Sequence, residues 1–304
     1  MRRNHRRPFT GACLLVTTAF VLLLAGCATT KSVFERYRGK GDALTKKVMA
    51  LPLVDLGGVG ERLTAQAQRD FYESLGRSPR ISLHFQGAEE NAGSPSVTAV
   101  EYGIITNPEM IRKARAQGMN AVVAGALNPV GVTHKKTGIW PFRKQVVAYQ
   151  VSMVVNVVDV NSGYLYLTNL ESEEFHFPLE EDGFQDEVRE RQEALESKLP
   201  RIVKRQADIV SKELGTRPWT GTILSAAEGG VTISGGTDSG IRPGMIFTVY
   251  PSAESITTKD GRTIQLLGKA IGDLRVEEVM SDRSRAVGSQ GGPFAEGQLV
   301  RPRP

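Results

Sequence analysis

Val48 to Leu56, VMALPLVDL, is a mostly apolar run of strand length. Gly57, Gly58 and Gly60 break it, and ERLTAQAQRDFYESL follows with apolar residues at helical spacing, so the pattern predicts strand, glycine turn and helix. RISLHF (80–85) alternates as a second strand, and NAGSPS (91–96) reads as an exposed loop. Asn107, Pro108 and Glu109 open a helix that runs through EMIRKARAQ to a stop at Gly118. The apolar strand AVVAGAL (121–127) then closes a second strand-helix-strand unit.

After a basic loop come two long β-rich runs, QVVAYQVSMVVNVVDV (145–160) and GYLYLTNLESEEF (163–175). Asn161-Ser162-Gly163 joins them as a compact turn, which predicts an antiparallel pair. Phe184, Val188, Leu195, Leu199, Ile202, Val203, Val210 and Leu214 fall mainly at three-, four- and seven-residue spacings, the mark of an amphipathic helix packed on a sheet. Pro200 is expected to kink or split it. From Trp219 the grammar changes to short strands punctuated by glycine pairs, and a small barrel would hide most of their edges. The fold class is therefore α/β (α+β) with a mixed sheet, followed by a small all-β, barrel-like domain.

Four segments result: a leader over 1–26, a polar tether over 27–46, the α/β domain over 47–215 and the β domain over 216–304. The leader has a positive start, Arg2, Arg3, Arg6 and Arg7, and an apolar stretch, CLLVTTAFVLLL, too short to span a membrane comfortably. It ends at Cys27. The other cysteine, Cys13, lies in the same apolar run, so neither residue belongs to a disulfide framework or a site of several thiolates.

Charge matters mainly through where it sits. The formal balance is +5, but the leader carries four arginines and no acid, which leaves 34 Lys+Arg against 33 Asp+Glu downstream. A near-neutral body argues against a general basic surface for nucleic acid.

Leu24-Ala25-Gly26-Cys27 resembles the lipobox of bacterial lipoproteins. In that family the cysteine thiol receives a diacylglycerol, the leader is cut just before it, and the new amino group is acylated. The resemblance implies that Cys27 is the lipid attachment residue and that acyl chains hold the chain to a membrane. Several chains are needed, since one gives only marginal binding at about 0.8 kcal/mol per buried CH2. Ala28 stands where an aspartate would commonly mark inner-membrane retention, which implies the periplasmic side of the outer membrane.

VMALPLVDL, ARAQGMNAVVAGAL and VSMVVNVVDVNSGYLYL resemble the periplasmic α/β domain shared by curli-secretion lipoproteins of the CsgG type, LpoB activators and the amino-terminal part of TolB. GGVTISGGTDSGIRPGMIFTVY, LGKAIGDLRVEEVMSDRSRAVG and AEGQLVRP resemble, in that order, the carboxy-terminal domain of the flagellar assembly protein FlgT. These resemblances imply a non-enzymatic envelope adaptor or assembly factor, flagellum-associated through its barrel, with an envelope or flagellar protein as partner. The alternative they imply is an oligomeric, CsgG-like outer-membrane secretion channel.

The chemistry-bearing motifs are sparse. Gly58-Val59-Gly60 between strand and helix is half of a dinucleotide fingerprint, but Leu63 takes the third glycine's place and no acid closes the second strand, so a plain turn is expected. GGTDSGIRPG (235–244) lacks the Lys-[Ser/Thr] and following helix of a phosphate cradle. Its Asp238 is expected to cap a turn, with Gly240 and Gly244 at positive φ and Pro243 between them. His5 leaves with the leader, while His84, His134 and His176 have no sequence partners for catalysis or metal. Glu171, Glu173, Glu174 and the run from Glu180 to Asp182 read as solvated charge. No catalytic residue, metal site or cofactor is expected. The candidate partner contact is the loop THKKTGIWPFRK, where Lys135, Lys136, Arg143 and Lys144 surround Trp140 and Phe142. The alternative for that loop is a hairpin connection whose rings pack on their own domain.

Overall fold

The computed structural model describes residues 44–85, 100–101, 104–105, 108–179, 186–227, 229–251, 255–257, 263–265 and 268–303. Cys27 with its leader, Cys13, His5, the 91–96 loop, Asn107, Glu180 to Asp182 and Phe184 lie outside the described residues.

The apolar run at 48–56 makes two strands, β1 (Lys46–Ala50) and β2 (Val54–Asp55). Pro52 separates them, because it has no N–H to give to a neighbouring strand. Helix α1 (Glu61–Gly76) and β3 (Ile81–Phe85) follow, then the short pair β4 (Val100–Glu101) and β5 (Ile104–Ile105). Helix α2 (Pro108–Ala116), β6 (Ala121–Leu127), β7 (Gly131–Thr137), β8 (Lys144–Asp159), β9 (Leu165–Pro178) and α3 (Glu187–Thr216) complete this part.

Seven of these strands form one mixed sheet. β1 pairs in parallel with β3 and with β6, and β2 continues the parallel pairing along β6. β8 is antiparallel to all its neighbours: β6 pairs with one half of it, β7 with the other half, and β9 with the opposite edge. β8 is thus the spine of the sheet, and its valines, Val154 apart, are buried as the long apolar run requires. On one sheet face α1 and α3 cover a core that includes Leu63, Phe71, Val123, Val155, Leu199 and Val210. α2 closes a smaller cluster with Met49, Met110, Ala114 and Val122.

Three expectations for this part change. α3 is not split at Pro200 but runs through it as one helix. The proline is exposed, so the Glu196 carbonyl that its ring deprives of an N–H partner is left to water and the helix continues. Val188 is 82% exposed, whereas Glu190, which hydrophobic periodicity does not select, is buried beside Tyr149. Burial and that neighbouring carboxylate push the Tyr149 phenol up to about 12. Glu171 and Glu173 are not solvated. Glu173 keeps 11% of its side-chain surface and meets Arg201 at 3.4 Å and Lys198 at 4.0 Å, as well as Arg205. Arg205 also reaches Glu171 at 3.3 Å, so α3 is clamped on β9 by charge as well as by apolar packing. Their polarity on β9 concealed this, because the cations come from a helix more than twenty residues away.

Strands β10 (Gly221–Ala227), β11 (Gly230–Ser234), β12 (Ile246–Tyr250), β15 (Gly272–Val279), β16 (Arg283–Gly291) and β17 (Leu299–Pro302) close a six-stranded antiparallel barrel in the order β10-β11-β16-β15-β12-β17. A small hairpin, β13 (Ser255–Thr257) with β14 (Thr263–Gln265), lies between β12 and β15 in sequence. Ile223, Ile233, Phe247, Leu274 and Val300 fill the barrel, with Trp219 edge-on to Phe247 at 5.7 Å. Gly221 makes room for that indole: a Cβ there would come within 2.4 Å of the ring.

Leu44–Arg303 forms one compact unit. Leu44 and Lys46, given to the tether by the sequence reading, are part of it: Leu44 packs in the barrel core and Lys46 opens β1. Buried polar groups join the sheet to the end of α3 and to the barrel. Lys46 Nζ donates to the carbonyls of Leu214 and, at 2.6 Å, Arg217, while Lys47 pairs with Asp238 of the barrel.

Candidate functional site

β6 and β7 lie end to end along one edge of β8, and β8 turns back from β7 over residues 138–143. The stretch expected to be a loop from Thr133 to Lys144 is therefore mostly hairpin. Lys135 and Lys136 sit in β7, paired in register with Val146 and Gln145, and only the six-residue turn is irregular. Gly138 takes φ +102 at its start, and the Phe142 N–H donates to the Ile139 carbonyl at 2.8 Å to close it. The Trp140–Pro141 peptide is cis.

The turn projects its large side chains into solvent. Ile139, Trp140 and Phe142 are 84%, 78% and 82% exposed, so the rings do not pack on the domain that carries them. Lys135 reaches Glu174 across the sheet, and Glu174 also meets His176 at 3.1 Å. Those two hydrogen bonds hold the Glu174 carboxyl below its usual range. Lys136, Arg143 and Lys144 are exposed and have no carboxylate partner among the described residues. All six candidate residues, Lys135, Lys136, Trp140, Phe142, Arg143 and Lys144, thus gather around one hairpin tip, and Ile139 joins them. Sequence reading passed over Ile139 because a single isoleucine in a polar stretch carries no pattern.

The other motifs resolve into structure. The cradle at Gly58-Val59-Gly60 is filled by the chain itself: Asp55 accepts the N–H groups of Gly57, Val59 and Gly60, each at 3.0 Å. Burial alone would raise that carboxyl, but these backbone donors bring it below the usual range. A self-supplied carboxylate stands where an external anion would sit, and Gly58 (φ +59) and Gly60 (φ +100) take the backbone shapes this needs. Asp238 caps its turn, accepting from Gly236 at 3.2 Å, with Gly240 and Gly244 at φ +81 and +87. His84 lies 3.3 Å from Ser82, and burial, then Lys47, lower its pKa against an opposing Asp238. His134 is exposed in β7. Among the described residues no three His, Cys, Asp or Glu side chains converge as a metal site, and no described helix is long and apolar enough to cross a membrane.

No protein-family model matches the chain, and no curated protein does. Solved structures similar to it include the PelC dodecamer of Paraburkholderia phytofirmans, 14% identical over 57% of this chain and 89% of that one, with a TM-score of 0.32. Two others are lipoproteins: GNA1162 of Neisseria meningitidis (12% identity, 54% and 99% coverage, TM-score 0.28) and a minor lipoprotein of Acinetobacter baumannii (9%, 56% and 92%, 0.26). Likeness at this level assigns the chain neither a family nor an activity.

Proposed function

We propose that the chain is a bacterial envelope lipoprotein, held on the periplasmic side of the outer membrane by acyl chains on Cys27, that acts as an adaptor or assembly factor. It works by tethering and docking and makes or breaks no covalent bond. The observation that carries this reading is the exposure of Ile139, Trp140 and Phe142 beside three cations that have no carboxylate partner among the described residues, at the end of a hairpin braced by β8 and β9. Large aromatic side chains with arginine are the usual anchors of protein interfaces, and a rigid strand pair presents them at low entropic cost. The resemblance of the barrel's sequence to the FlgT type supports flagellar assembly as the machine served.

The exporter-like alternative needs strands of about ten residues with an apolar face toward lipid. β8 is largely buried, and the exposed positions of β9 are mostly polar, Thr168, Ser172, Glu174 and His176 beside Leu170. Both arguments favour the adaptor.

A photo-crosslinking residue placed at Ile139 in intact cells tests the proposal. One protein-protein adduct of defined mass is expected, lost on Trp140→Ser and on Cys27→Ser. Adducts with lipid alone, or a protein adduct indifferent to both changes, would overturn it.

A further inference from the structure

The β8–β9 turn, the first residues of β9, the linker from α3 to β10 and strand β17 together line a solvent-open cavity of about 290 Å³. That is the small end of the range for ligand sites. Tyr164, 47% exposed, and Tyr166 supply aromatic surface, Arg217 and Arg301 positive charge, and Asp159 and Ser162 a carboxylate and a hydroxyl.

Two of the three charged groups are already engaged. Asp159 Oδ1 accepts the N–H and O–H of Ser162 at 2.6 and 2.8 Å. Arg217 gives Nε and Nη2 to Glu213 at 2.8 and 2.6 Å and lies 5.1 Å over the Tyr166 ring. Arg301 differs. It donates Nε to Thr220 Oγ1 at 3.3 Å, rests 5.8 Å over Tyr250, and has no carboxylate partner among the described residues. Its remaining N–H groups form an open fork for a carboxylate, the acceptor such a fork fits best. Burial, then Asp159, hold the Tyr166 phenol far above its usual range against the opposing Arg217, so it stays neutral and able to hydrogen-bond.

An apolar ring wall, hydroxyls and one guanidinium that has no carboxylate partner among the described residues, in a small cavity, match a particular ligand chemistry. We propose that this cavity binds a sugar ring bearing a carboxylate, with the ring against Tyr164 and the carboxylate on Arg301. The site stands apart from the hairpin tip and does not depend on the lipid anchor.

Calorimetric titration of the detergent-solubilised full chain with glucuronate, glucose and acetate tests this. Glucuronate is expected to bind, with glucose and acetate each at least about tenfold weaker, because each lacks one half of the recognised pair. Arg301→Gln and Tyr164→Ala should each weaken glucuronate by about tenfold, while Tyr164→Phe leaves it unchanged. Tyr164 is half-exposed, so Tyr164→Ala decides the matter even where Arg301→Gln does not fold. Absence of glucuronate binding, acetate binding as tightly as glucuronate, or indifference to Tyr164→Ala would each overturn the proposal.

Discussion

The side-chain amide of Asn120 donates to the carbonyl of Thr220 at 2.8 Å, tying the residue before β6 to the residue before the barrel. Asn161 gives its own amide to the same oxygen at 2.9 Å, and Asn120 also accepts the Lys47 N–H at 2.8 Å. Both asparagines are buried. Asn120→Ala leaves the Lys47 N–H without its acceptor and is expected to cost about 2 kcal/mol. Asn161→Ala is expected to cost less, because Asn120 still serves the shared carbonyl. The double variant should lose more than the sum of the two, since only then is that oxygen bare. Urea unfolding of the three variants measures this, and strict additivity would show that the shared acceptor does not matter.

Lys46 carries a pH signature. Burial, then Arg80, lowers its pKa from 10.5 to about 8, with Asp159 opposing and Arg217 adding to the fall. The folded value lies below the unfolded one, so the folded state holds fewer protons between pH 8 and 10.5 and the group's contribution to stability rises with pH across that window. Below it the full penalty of a buried charge applies. Against Lys46→Met, the native chain should gain up to about 3 kcal/mol from the lower to the upper end of the window. A difference independent of pH would refute the assignment.

Asp55 sets the entry to α1 by accepting three backbone N–H groups. Asp55→Ala strands those donors and is expected to destabilise the chain by about 2 kcal/mol. Its folded pKa is depressed, so its contribution is present above the ordinary carboxylate range and fades as pH falls through the lower folded value. Comparing the two chains' unfolding midpoints at neutral and acid pH should show the gap closing in acid.

Pro200 is an exposed proline inside a continuous helix. Pro200→Ala restores a donor for the Glu196 carbonyl and should stabilise the chain by about 1–3 kcal/mol. A lower melting temperature would mean that the ring packs in a way its exposure denies.

At the tip, Trp140→Ser and Phe142→Ser should leave stability within about 0.5 kcal/mol of the native chain, the usual range for exposed positions. Losses of about 3 kcal/mol, normal for a buried aromatic ring, would place these rings in a core and remove them as a contact surface.

Legibility followed burial. α1, α2, β3, β6 and the β8–β9 hairpin lie near their expected bounds because burial marks the sequence, as a period where one face is covered and as an unbroken apolar run in β6, which is buried at every position. β7 does not: GVTHKKT is exposed on both faces and is held by backbone pairing with β8, which leaves no apolar trace. The candidate contact residues were selected by composition, but their setting was misread as a loop for that reason. Glu171 and Glu173 misled in the opposite direction, since a charged residue looks solvated until the cations that pair with it are located.

By itself the sequence determined the main buried elements, their order and the change from a helix-bearing sheet to a closed barrel, though not the exposed strand β7, because hydrophobic period and turn residues act over a few positions. Only the tertiary structure decided that Asn120 and Asn161 meet at Thr220, that Lys46 meets the end of α3, and that Tyr164 and Arg301 line one cavity. Those pairings bridge dozens to well over a hundred residues, and a single polar side chain announces no partner until the apolar cores have closed and brought it within hydrogen-bond reach.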